Sequence, residues 1–206
     1  MQRRILIVIL VAFCLIIGSA AQAAEKSASE VVNALHASLL EMMKDADALG
    51  FDGRSKFIEP VVTKSFNLPL IAVMAAGEKN WKTFSKAQKK QLIAALEDLS
   101  VATYAARFNG YSGENFRTLS EQPADQGTTY VSTELTQGDG GTIPLKYLLY
   151  PGDSGWRIVD VVFMGVFSEL AMRRSEYGAI YKKGGFDGLL TALKQKTADY
   201  QAGLLQ

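Results

Sequence analysis

Cysteine and histidine are almost missing: the 206 residues hold one of each, Cys14 and His36. Hydrolytic serine or cysteine catalysis needs a nucleophile beside a base, usually histidine, so that chemistry has a single candidate base here. Structural zinc, whose ligands are several cysteines and histidines, is excluded in practice. Cys14 lies inside an N-terminal apolar run behind Val11-Ala12-Phe13, and Phe13 is too bulky for a lipoprotein signal, so Cys14 reads as filler. Basic and acidic residues nearly balance, 22 against 21. No basic stripe of the kind nucleic-acid binders show is expected, and no nucleic-acid partner with it. Asp139 and Asp153 stand in glycine-rich turns without the spaced acidic loop that calcium requires. Gly138-Asp139-Gly140-Gly141 lacks the lysine and the strand-to-helix setting of a phosphate loop. No cofactor is expected.

What is present begins with an address. Arg3 and Arg4, an apolar run from Ile5 to Ile17 and then Ala21-Gln22-Ala23 follow the charge, core and cleavage order of a secretory signal. The run is short of the roughly 20 residues needed to span a bilayer. Cleavage after Ala23 would remove Arg3, Arg4 and Cys14, leaving a cysteine-free, exported chain of residues 24–206 with a net charge of about −1. Its stability must then come from one apolar core, and a single domain is expected.

The first half reads as helical. Val32, Leu35, Leu39, Met42 and Met43 recur at spacings of three and four, predicting a helix from Ser29 to Leu49 stopped by Gly50. A second helix is expected from Ser55 to Thr63, with Pro60 opening a new turn rather than continuing an old one. Asn67 caps a third through Ala76. Ser85 and Gln88 form a capping box for a long helix to about Phe108. The period then changes to strands at Phe116–Leu119, Thr128–Leu135, Thr142–Tyr150 and Trp156–Phe163, with turns at Gln137–Gly141 and Pro151–Gly155. Ile143, Leu145, Tyr147 and Leu149 share the inward face of the third strand. Two helices close the chain, Ser168 to Lys182 and Phe186 to Tyr200, with Gly184-Gly185 between them. Strands in the middle and helices on either side make an α+β protein whose antiparallel sheet is covered on one face by helices.

Several stretches carry a resemblance: Phe57-Ile58-Glu59-Pro60-Val61-Val62, Trp81 with Gln88, Tyr104 and Tyr111 with Gly113, Trp156-Arg157-Ile158-Val159-Asp160-Val161, Gly165-Val166-Phe167-Ser168-Glu169-Leu170, Arg174-Ser175-Glu176-Tyr177 and Gly184-Gly185-Phe186-Asp187-Gly188-Leu189. In this order and spacing they resemble the MlaC family of periplasmic lipid carriers. The resemblance implies a strongly curved sheet of four to five antiparallel strands, NTF2-like with an additional helical region, and a lipid cavity between sheet and helices. It implies a phospholipid cargo shuttled between inner and outer membranes, with an inner-membrane Mla-type ABC transporter complex and an outer-membrane lipoprotein complex as partners. Ser168-Glu169-Leu170-Ala171 also looks like the branch associated with hopanoid biosynthesis, which makes a hopanoid or related polycyclic lipid the second candidate. The family brings no catalytic residue.

For the cavity wall the inward strand positions and the facing helices nominate Phe66, Leu70, Met74, Leu96, Phe108, Tyr130, Tyr147, Leu149, Val161 and Phe163. Arg107, Lys146 and Arg157 are candidates for a polar rim or a partner surface. Removing about 30 methylenes from water is worth on the order of 25 kcal/mol, and a bilayer offers nearly the same. A carrier therefore has to match the membrane rather than outbid it, and keep the phosphate at the mouth in water. The rival readings are a small-molecule enzyme on an NTF2-like scaffold with Asp160 as base, and an adaptor that binds protein only. Asp160 has a plainer use, pairing with an arginine or capping a backbone amide.

Overall fold

The structure is a computed structural model that describes residues 26–153 and 155–205. The signal segment 1–23, with Cys14, and residue Ser154 of the second glycine-rich turn lie outside the described residues.

Among the described residues, six helices and five strands run in the order α1 (Ala28–Lys44), α2 (Ala46–Ser65), α3 (Leu68–Ala76), α4 (Glu78–Thr83), α5 (Lys86–Arg107), β1 (Asn115–Pro123), β2 (Thr129–Thr136), β3 (Thr142–Gly152), β4 (Gly155–Phe163), β5 (Phe167–Ser168) and α6 (Glu169–Gln201). The sheet is an open antiparallel meander in the order β1-β2-β3-β4-β5. Short glycine-rich turns permit only this neighbour-to-neighbour pairing. Register shifts between Thr118 and Ser120 and between Leu148 and Leu149 mark bulges, which locally bend a strand.

Helix starts follow side-chain capping. Ser27 with Glu30 and Ser85 with Gln88 close reciprocal boxes at α1 and α5, and Asn67 accepts from the Leu70 amide at α3. The first helix ends at Lys44, earlier than its apolar period suggests, and Asp45 links it to α2. The expected glycine breaks survive as kinks. Gly50 (φ +58) and Gly185 (φ +60) sit in the left-handed half of backbone space inside α2 and α6, where a side chain would be strained.

Pro60 corrects the sequence reading, because α2 runs straight through it to Ser65. The amide that proline lacks would have served the Lys56 carbonyl. Lys56, Glu59 and Pro60 are all exposed, so water can take that place, while Thr63 Oγ1 donates to the Glu59 and Pro60 carbonyls at 3.0 and 3.2 Å.

One contiguous buried cluster joins helices and sheet. On β3 the buried side chains are Leu145, Tyr147 and Leu149, the inward face read from the alternation. Val131 and Val161 flank Tyr147 across the ladder, and Thr133 and Phe163 flank Leu145. Helix α1 covers this face over β1 and β2, whereas α5 lies against α2, α3 and α6. Arg54 ties the helical layer together, donating to the carbonyls of Ala105 (2.8 Å) and Ala46 (2.9 Å).

The three-residue β4–β5 connection, Met164 to Val166, is built on a turn in which the Val166 amide donates to the Phe163 carbonyl at 3.1 Å, with positive φ at both central positions, Met164 (+51) and Gly165 (+74). Asn, Asp and Gly favour this turn. Methionine there carries a backbone penalty of about 1–2 kcal/mol.

A seam between the sheet and helix α5

Where α5 stands off the sheet, only long side chains bridge the gap. Thr103, Tyr104, Arg107 and Phe108 of α5 face Leu145 and Tyr147 of β3, Val161 and Phe163 of β4 and Glu169 of α6 around a void of about 70 Å³. The wall is largely aromatic. Tyr104 and Phe108 stack at 5.7 Å between ring centroids, and Phe108 tilts against Phe116 at 6.4 Å. On the other side of Tyr104, Val161 and Glu169 lies a smaller void of about 10 Å³, reached by Phe66, Ile71, Ser100 and Arg173. Tyr104, Val161 and Glu169 thus form a partition between the two.

The polar groups of the seam are few and mostly occupied. Arg173 donates to Glu169 at 2.8 Å across one helical turn, and both side chains are largely buried. Burial alone would lower the Arg173 pKa, but the Glu169 carboxylate beside it raises it. Burial, with Tyr147 and Glu169 nearby, keeps the Tyr104 hydroxyl protonated well beyond its ordinary range, and burial does the same for Tyr147. His36 shares a 2.9 Å hydrogen bond between Nε2 and the Tyr147 hydroxyl and stacks on Phe116 at 4.0 Å. Its burial lowers its pKa to about 4, so it is neutral at pH 7. Arg107 is exposed at the rim.

The nominated wall residues separate into four places. Phe108, Tyr147, Val161 and Phe163 line the seam, and Phe66 lines the smaller void beside it. Leu96 and Leu149 belong to the close-packed middle of the layer, at 1% and 0% exposure. Tyr130, Leu70 and Met74 line a different cleft, an open one of about 470 Å³ on the opposite face of the sheet, with Leu148, Tyr150 and the Asp125–Gly127 turn. Tyr130 pairs with Leu148, not with Tyr147, so strand parity turns it away from the face that α1 covers. Of the rim candidates, Lys146 sits over the Tyr130 ring at 4.1 Å, and Arg157 donates to the Thr63 carbonyl at 3.4 Å.

Between the inner sheet face and α5 these side chains leave no roomy hollow; the larger space is the cleft that Leu70 and Met74 of α3 form with Tyr130, Leu148 and Tyr150. Leu35, Leu39, Met42, Leu92, Ile158 and Leu149 fill the middle of the layer. About 70 Å³ takes a few water molecules, not two acyl chains.

Sequence reasoning missed Glu169 and Arg173 as seam residues, although their i,i+4 spacing on a helix was a readable pairing signal. The packing of His36 on Phe116 and Tyr147 had no such signal, since it joins residues far apart in the chain. Asp160 has the plainer of its two readings. Its carboxylate accepts from Ser168 Oγ at 2.6 Å and from the Leu170 amide at 2.9 Å, closing the start of α6. Among the described residues no group of three or more His, Cys, Asp or Glu side chains could hold a metal ion, and no helix is long and apolar enough to cross a membrane.

No curated protein matches the chain. Among solved structures it is similar to a phospholipid-binding protein from Ralstonia solanacearum, solved in complex with a phospholipid. The likeness has a TM-score of 0.75 at 17% identity and covers 85% of this chain and 99% of that one. At that identity the likeness establishes the fold. The family model described as MlaC protein matches residues 33–195, which is most of the chain and nearly all of the elements just described. The chain belongs to the MlaC protein family.

Proposed function

We propose that this protein is a phospholipid carrier, in which residues 24–206 act as one lipid-binding unit and the acyl chains enter the seam between the inner sheet face and α5. The observation that carries this reading is the seam itself. An α-helix is held off a sheet by stacked aromatic side chains instead of by close backbone packing, with one charged, exposed residue, Arg107, at its rim. Family membership and the phospholipid held by the Ralstonia solanacearum protein support it.

Loading requires the seam to widen. Helix α5 packs on α2, α3 and α6 and only loosely on the sheet, so it can shift away from β3 and β4 while α2 and α6 keep their contacts with β4. That movement parts Tyr104 and Phe108 from Tyr147, Val161 and Phe163, an apolar surface on both sides. Hydrocarbon entering between them restores packing of the same kind, so the cost of opening is recovered on loading. The phosphate stays near Arg107, in water.

The same reading places the mature protein in the periplasm after removal of residues 1–23. There it serves an Mla-type ABC transport system between the inner and outer membranes. Organic extraction and mass spectrometry of the purified protein test it. About one phospholipid per chain is expected, a polycyclic lipid in its place would redirect the cargo to the hopanoid class, and no lipid at all would overturn the carrier reading.

A further inference from the structure

The β4–β5 hairpin tip breaks two local rules at once. Met164 occupies a left-handed position where Asn or Gly would be relaxed, and its side chain is 64% exposed, so no packing accounts for it. Val166 and Phe167 follow at 72% and 55% exposure. Met172, four residues beyond the Ser168 cap and on the same side of the first turn of α6, is exposed as well. Four large apolar side chains thus face solvent at one end of the molecule, and a residue choice that gives up turn stability for exposed hydrocarbon points to a surface that is covered in use.

The tip is continuous with the seam. Phe167 pairs directly with Phe163, which lines the void, and Glu169 at the start of α6 lines it too. Nearby acidic groups are engaged within the protein: Glu169 and Glu134 pair with Arg173 and Arg117, and Asp160 accepts hydrogen bonds from Ser168 and the Leu170 amide. Glu134 pairs with Pro144, whose carbonyl accepts from the Met164 amide. Arg107, at the seam, and Lys146, opposite Val162, have no carboxylate partner among the described residues. The result is an apolar projection flanked by two cations without carboxylate partners, Arg107 at the seam and Lys146, which rests on the Tyr130 ring.

We infer that this tip docks the carrier on an anionic phospholipid bilayer, Met164, Val166, Phe167 and Met172 entering the headgroup boundary while Arg107 and Lys146 meet lipid phosphates. A narrow turn of this kind offers far fewer residues than the roughly 20–30 a side of a stable protein interface, but it suits shallow insertion flanked by basic groups. The inference deepens the carrier reading, since it sets the seam's mouth against the surface from which hydrocarbon would enter.

Methyl-labelled methionine resonances of the full chain, recorded with nanodiscs of phosphatidylethanolamine and phosphatidylglycerol containing a nitroxide-headgroup lipid, test it. The Met164 and Met172 methyls are expected to broaden strongly and the buried Met42 and Met43 methyls to stay sharp. In a matched titration M164N/M172Q should weaken nanodisc binding about tenfold with no loss of thermal stability. Met164 broadening no more than Met42, or an unchanged affinity in the double variant, would overturn the inference. So would tip resonances that shift with protein concentration in the absence of lipid, which would mean that a second copy covers the tip. Phospholipid recovered from the same preparation is scored separately, so the docking inference can fail while the carrier reading stands, and the reverse.

Discussion

His36 sits against Phe116 and Tyr147, and its only polar partner there is a phenol. Burial therefore favours the neutral imidazole and lowers its pKa from 6.5 to about 4. The unfolded chain takes up the proton at higher pH than the folded one, so folding stability is complete above about pH 6.5 and declines as the pH falls from there toward 4. The full effect is about 3 kcal/mol. Denaturant midpoints measured across that window should fall with acid in the wild type and change much less in H36Q. Equal slopes would show that other groups dominate. Tyr147 links this residue to the seam, being at once the partner of His36 and part of the void's wall.

Among the elements, α6 depends on a strand for its start. Asp160 of β4 holds the Ser168 hydroxyl, Ser168 Oγ accepts from the Ala171 amide, and the second carboxylate oxygen takes the Leu170 amide. Hydrogen bonds to a charged group contribute about 1.5–3 kcal/mol, so D160N should destabilise the protein by about that much in chemical denaturation. Its phospholipid content should be unchanged, because the carboxylate is structural. Lipid lost from a still-folded D160N would contradict that assignment. This use of Asp160 was one of two readings open from the chain alone. The capping boxes, the glycine breaks and the alternation along β3 were legible because each depends on residues close in sequence. Pro60 misled because its harm depends on whether the orphaned carbonyl meets water, which only the folded surface decides. Tyr130 misled because its face is set by pairing register with β3, and the β2 sequence alone does not show which of its two faces meets α1.

At the scale of the molecule, two apolar spaces lie on opposite faces of one sheet. The seam of about 70 Å³ is enclosed and aromatic, while the cleft of about 470 Å³ is open and bordered by Asp125, Gln126 and Thr128. Present volume favours the second, but closer enclosure, continuity with the apolar tip and a helix α5 only loosely held to the sheet favour the first. Composition could not have distinguished them, since large apolar side chains are spread over both faces. A photoreactive phenylalanine analogue in place of Phe163, and in a second protein in place of Leu148, separates them directly. After irradiation of lipid-loaded protein, mass spectrometry should find a phospholipid adduct at position 163 and little at 148. An adduct confined to position 148 would put the hydrocarbon in the outer cleft and contradict the account.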